Sequence, residues 1–256
     1  MLDYFSSLMD SYNLGITHFL LAFLGALLLG MGKAGFKGLG VLIVLLMALV
    51  FGGKSSTGVL ITMMVFADIL AVIHYNRHTQ WSYLKKLLPT MFLGVLIGVW
   101  IGKDISEVLF KQIMAAFILI TVAIMVYMEK KKSEDIPTHW AFSSGTGLLA
   151  GITSMIGNLA GSFADIYFLA MRLPKNEFIG TAAWLFFIIN VFKLPFHIFI
   201  WKTVTVETLS LNIIFVPGIV IGFYVGVFIV NKIKNAVYRK FIFAATIIGA
   251  ILILIK

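Results

Sequence analysis

Three lysines stand inside otherwise apolar stretches: Lys33 and Lys37 in Gly30-Met-Gly-Lys-Ala-Gly-Phe-Lys-Gly-Leu-Gly40, and Lys193 in Phe186-Phe-Ile-Ile-Asn-Val-Phe-Lys-Leu-Pro195. A lysine at mid-bilayer costs roughly 2.5–3.5 kcal/mol on insertion scales, so three without partners cost about 8–10 kcal/mol. That is comparable to the whole stability of a typical domain. Such residues persist only beside a water-filled cavity, a counter-charge or an anionic ligand, which points to a membrane site for an anion. Asp68, Asp165, Asn158 and Asn190 complete the intramembrane polar set. Asn190 and Lys193 are three residues apart and so share a helix face. Three lysines against two aspartates leave one positive charge over, which suits an anionic substrate. The competing reading is structural: Lys33 or Lys37 reaches an interface, or pairs with Asp68 or Asp165. Of the five histidines, only His197, one turn past Lys193, is placed to relay a proton, against a plain packing role.

The elements that must position these groups are apolar. With 61% hydrophobic residues, 12% charged and a mean hydropathy of +1.03, the 256-residue chain reads as a polytopic all-α membrane protein. Its net charge of +9 falls in short clusters between apolar segments, as membrane loops require, and not in a nucleic-acid-binding face. Absence of cysteine rules out disulfides and thiolate chemistry. Asp3 and Asp10 precede the first basic residue, Lys33, unlike a cleaved leader, so the first helix is expected to stay in the mature protein. Apolar segments run at about 16–32, 39–51, 57–74, 89–102, 111–127, 140–156, 159–171, 177–200, 209–229 and 241–255. Several are shorter than the roughly 20 residues a straight span needs. The pairs 16–32/39–51 and 140–156/159–171 therefore read as broken or re-entrant hairpins meeting near mid-membrane, with glycine-rich junctions.

Placing the N-terminus outside puts twelve basic residues in inside loops (Arg77, Lys85, Lys86, Lys130, Lys131, Lys132, Arg172, Lys175, Lys232, Lys234, Arg239 and Lys240) and five outside. This satisfies the positive-inside bias. The chain divides into a first repeat, residues 1–128, a cytoplasmic linker, 129–139, and a second repeat, 140–256. Gly94-x3-Gly98-x3-Gly102 after Pro89 answers Gly218-x3-Gly222-x3-Gly226 after Pro217. Gly58 and Asp68 answer Gly180 and Asn190, and Gly32-Lys33 answers Gly157-Asn158. An odd number of crossings per half makes the second repeat inverted, an arrangement common in secondary transporters with a midplane site. The glycine triplets themselves read as helix packing. Gly52-Gly-Lys-Ser-Ser56 ends like a phosphate-binding loop but has Ala48 where that motif needs glycine, and no hydrolase signature occurs, so the chain reads as a non-enzyme with no cofactor.

At the same residues the chain resembles the sulfite exporter TauE/SafE family. The resemblance rests on Gly30–Gly40, Gly52-Gly-Lys-Ser-Ser-Thr-Gly58, Ala67-Asp68 with Tyr75-Asn-Arg-His78, Gly157-Asn-Leu-Ala-Gly161, and Gly180-Thr-Ala-Ala-Trp184 with Asn190 and Lys193, in order from about residue 16 to 255. It implies a bacterial inner-membrane permease for sulfite, sulfoacetate or related small organosulfur or organic anions. The expectation is then a secondary transporter in which Lys33, Lys37 and Lys193 neutralise the anion and Asn158 and Asn190 donate hydrogen bonds. Asp68, Asp165 and His197 would balance charge or couple a proton, with sodium as the other candidate coupling ion. An anion channel or a non-transporting membrane protein are the alternatives, and a homodimer is compatible with the reading.

Overall fold

The computed structural model describes residues 14–106 and 139–234, with residue 12, isolated positions between 108 and 120, and residue 237. The apolar stretch 241–255, most of 111–127 and nearly all of the expected linker lie outside the described residues. All regular structure among the described residues is helical: α1 (Ile16–Lys33), α2 (Gly40–Phe51), α3 (Gly53–Tyr75), α4 (Trp81–Gly102), α5 (Trp140–Gly157), α6 (Ala160–Ala170), α7 (Lys175–Pro195) and α8 (Val206–Lys232). A 3-10 turn (Asn76–His78) follows α3 and a π turn (Phe196–Ile200) follows α7. Five of these helical stretches are long and apolar enough to cross a membrane. At about 1.5 Å per residue, α2 and α6 reach only about 18 and 16 Å, too short to span alone.

Both expected breaks occur. The first falls between Lys33 and Gly40, where Gly35 (φ 109°) and Gly38 (φ 89°) take backbone conformations closed to most side chains. The second is a helix stop at Asn158, whose left-handed φ of 56° lets the Asn158 N–H bond the Ser154 carbonyl at 3.1 Å and the Leu159 N–H bond Thr153 O at 3.1 Å. Each break turns the chain back on itself. Tyr12, ahead of α1, lies edge-on to Phe51 at the end of α2, ring centroids 6.0 Å apart, and Phe142 of α5 lies 6.5 Å from Tyr167 of α6.

Helices extend past the apolar runs into polar residues. α3 starts at Gly53, where the Ser56 hydroxyl donates to Gly53 O and the Thr57 hydroxyl to Lys54 O, so this stretch is the first turn of a helix. α4 begins at Trp81 and keeps Pro89 in its interior, and α8 begins at a capping box between Thr205 and Thr208.

The largest interfaces join α1 to α8 and α4 to α5, with α3 against α7 between them. Both outer pairs run parallel. Phe19 lies against Phe215 while, further along, Gly226 meets Met31 and Ala34; Gly147 meets Leu87 while Gly98 meets Met155. The glycine stripes bring backbones together: a methyl at Gly94 would lie 2.9 Å from the Gly151 Cα, and one at Gly30 would lie 2.6 Å from Phe223 N. Gly94→Val and Gly30→Val are therefore expected to destabilise by about 1–3 kcal/mol or more. Gly145→Val, on a helix position with nothing within 4 Å, should melt like the unmodified protein in a detergent thermal ramp. Equal melting of all three would remove the close-packing account.

The polar ends sort into two groups. At one end Lys54 donates to Lys103 O (2.8 Å) and sits over the Trp201 ring, whose indole N–H donates to Val99 O (3.3 Å). At the other, Lys175 donates to Val230 O (3.0 Å) and Ile233 O (2.8 Å), closing the C-terminus of α8, and Trp184 Nε1 donates to Asn76 Oδ1 (2.9 Å).

Candidate functional site

The two breaks face each other across a cavity of about 90 Å³. That is room for several water molecules or one small oxyanion. Its wall includes Lys33, Lys37, Asn158, Asp165 and Asn190, with Phe36, Phe186, Leu39, Met64 and Leu159 supplying apolar surface. Five of the eight residues singled out in the sequence thus come together at one cavity. Asp68, Lys193 and His197 stand behind the wall.

The charges are held unequally. Lys33, the last residue of α1, pairs with Asp68 of α3 at 2.6 Å, and the other carboxylate oxygen of Asp68 accepts from Asn190 Nδ2 at 2.6 Å. Asp68 is fully buried. A buried pair of this kind survives only when both charges and the remaining lone pairs are answered, and Asn190 does the second part. Of the two readings open in the sequence, Lys33 realises the ion pair.

Lys193 is fully buried with no carboxylate at salt-bridge distance among the described residues. Its ammonium donates to Ser154 O (2.9 Å) and Asn158 Oδ1 (2.8 Å). Ser154 O belongs to the last turn of α5, where the helix dipole presents partial negative charge, so a cation is stabilised there. The Asn158 amide in turn donates to Thr57 O at 3.2 Å, tying the second break to α3. The first break is tied similarly, by the Tyr75 hydroxyl donating to Ala34 O at 2.8 Å. His197 sits in the π turn, buried, its Nδ1 2.9 Å from Thr203 Oγ1 and its ring against Trp201.

Lys37 differs from both other lysines. It follows Gly35 in the first break, is 7% exposed, and has no salt bridge among the described residues. Its ammonium lies 5.0 Å from the Phe186 ring centroid and 5.9 Å from that of Phe178, distances at which an aromatic face attracts a cation. Lys33 also lies over Phe186, at 4.7 Å. Across the cavity Asp165 feels the charges of Lys37 and, more weakly, Lys33, yet forms no salt bridge with either, and its Oδ1 has no hydrogen-bond partner among the described residues.

Phe186 and Ser154 did not stand out in the sequence, and Tyr75 did so only as part of the motif Tyr75-Asn-Arg-His78, with no role assigned to it. Phe186 carried a usable signal, since it lies one turn before Asn190 and two before Lys193 on the same face of α7. Ser154 and Tyr75 act through a backbone carbonyl and a break contact, which residue type does not reveal. Among the described residues no cluster of three or more His, Cys, Asp or Glu is disposed to hold a metal.

The apolar spans and the charged cavity between two broken hairpins define a multi-pass helical membrane protein. The family model described as Sulfite exporter TauE/SafE matches residues 18–253, nearly the whole chain, and the protein belongs to that family of membrane transporters. Neither the curated proteins nor the solved structures gave a match.

Proposed function

We propose that the protein is a secondary active transporter that exports small anions, such as sulfite, sulfoacetate or related organosulfur anions, across the bacterial inner membrane by alternating access. The observation that carries this reading is Lys37: a buried ammonium on the wall of a cavity between two helix breaks, with no carboxylate at salt-bridge distance among the described residues. Lys37 makes the direct charge contact. Asn158 and Asn190 line the same wall, as does Lys33, held by Asp68, while Lys193, held by its own partners, adds positive field from behind.

Two inverted repeats, 1–128 and 140–256, related by a pseudo-two-fold axis, fit the packing. Exchanging the halves turns the α4–α5 interface into the α8–α1 interface and leaves α3 on α7. Such repeats rock against each other around a central site. An outside N-terminus fits the sorting of polar ends, with Lys54 and Lys103 at one end and Lys175 and the C-terminus of α8 at the other. The chain has no cysteine, so single introduced ones report cleanly. His78→Cys should label from the inside, and Lys54→Cys and Asp104→Cys from the outside; labelling of 78 and 104 from one side would overturn the topology.

Transport itself is tested in proteoliposomes loaded with labelled sulfite. Unlabelled sulfite on the opposite face should accelerate release of label, as an exchanger requires. Large currents without counterflow would identify a channel instead, and neither response to any small anion would end the transporter reading.

A further inference from the structure

We propose that Asp165 is the group whose protonation is coupled to anion binding, because it is the competing counter-charge that an incoming anion must replace at Lys37; this rests on the transporter reading above. Asp165 is 6% exposed, lines the cavity, and leaves Oδ1 without a hydrogen-bond partner among the described residues. Lys37 is its main charged neighbour, and Asp165 is in turn the main opposite charge acting on Lys37. The two do not close into a salt bridge, so the space between them is where a third charge enters.

Among the described residues, every other charged or titratable group around Asp165 is already engaged or stands elsewhere. From the first break and α1 come Lys37 and Lys33, the latter paired to Asp68 on α3. α5, the element most closely packed on α6, contributes no ionisable side chain over residues 140–157. α7 contributes Lys193, committed to Ser154 O and Asn158 Oδ1, with Lys175 and Glu177 in its first turn. On α6 itself Tyr167 lies against Tyr83 of α4. Asp68, the other buried aspartate, does not line the cavity and has both oxygens occupied by Lys33 and Asn190.

With Asp165 ionised, an anion entering beside Lys37 meets a fixed negative charge; with Asp165 protonated, Lys37 has only the anion to answer it. Proton and anion binding are then mutually favourable, and by reciprocity the anion draws a proton onto the protein. The pair moves in the same direction, so a monoanion travels with its proton without net charge, and outward flux is driven by the anion's own gradient and not by proton entry. An antiporter requires the opposite sign.

Sulfite itself gains a proton near neutral pH, so the probe is ethanesulfonate, which keeps a single negative charge throughout. Its affinity for the purified protein, read by ligand-induced thermal stabilisation, should rise as pH falls from 8 to 5.5, by about 5- to 150-fold, the span of typical site-to-site coupling. In Asp165→Asn the affinity should be flat and, at pH 8, as tight as that of the unmodified protein at pH 5.5. Independently of any variant, adding ethanesulfonate to weakly buffered unmodified protein at pH 7 should take up protons. Flat affinity in the unmodified protein, a pH slope that persists in Asp165→Asn, or proton release on binding would each overturn the assignment while leaving the transporter in place. Absence of anion binding at every pH, with no counterflow, would instead remove the transporter reading and this inference with it.

Discussion

Lys37→Met is expected to weaken binding of a small sulfonate by about 2–5 kcal/mol, roughly 30-fold or more, while the protein still folds. The ammonium is buried at the cavity wall over Phe186, and no carboxylate among the described residues lies close enough to make it part of a structural pair. Methionine keeps the unbranched stem that packs in the break and removes only the charge. Replacing a buried charge by an apolar side chain of similar volume is commonly neutral or stabilising when no partner is stranded. Here one group is partly stranded, because Asp165 loses its main opposite charge, though Lys33 still acts on it. The loss of stability should therefore be modest, and smaller at low pH, where a proton answers the carboxylate. Lys37→Arg keeps the charge and should retain most of the affinity. Sulfonate stabilisation of Lys37→Met equal to that of the unmodified protein would show that the anion sits elsewhere.

Helix existence and both breaks were legible because apolar runs and glycine clusters report directly on what lipid and backbone tolerate. The run 16–32 is α1 almost to the residue, and the junction expected between the runs 140–156 and 159–171 is the Asn158 stop. Helix starts were less legible. α4 begins eight residues before Pro89, because Trp81–Leu88 is helical yet carries Lys85 and Lys86, and a hydropathy reading ends where charge begins. At the site, residue type identified five of the side chains that gather at the cavity but not which lysine takes which partner. Lys33 and Lys37 are four residues apart, and on a continuous helix they would share a face. The left-handed turns at Gly35 and Gly38 send them to different neighbours, Lys33 to Asp68 and Lys37 to the phenylalanine rings. Nothing in residue type fixes the path through such a break. Nor does it foretell that Lys193 is held by the end of α5 and not by an aspartate.

Asp68→Ala is expected to cost about 3–5 kcal/mol of stability, the largest effect of any single substitution proposed for this chain. It strands the Lys33 ammonium, which is 11% exposed, and leaves the Asn190 amide without its acceptor, so two buried polar groups lose their answer at once. The two groups come from α1 and α7, which Asp68 on α3 otherwise joins, so the loss loosens contact between the two halves of the chain. Lys33→Met in the same background removes the stranded charge, and the double variant should recover much of the stability lost by Asp68→Ala alone. A double-mutant cycle separates this pair term from the cost of the cavity left by each truncation. Independent pairing has a second signature. Because Asp68 lies behind the cavity wall, the folded double variant should still bind ethanesulfonate through Lys37, with a pH dependence set by Asp165. Additive losses in the cycle, with no recovery in the double variant, would show that the Lys33–Asp68 contact contributes nothing to stability and would return Lys33 to the list of residues free to meet the anion.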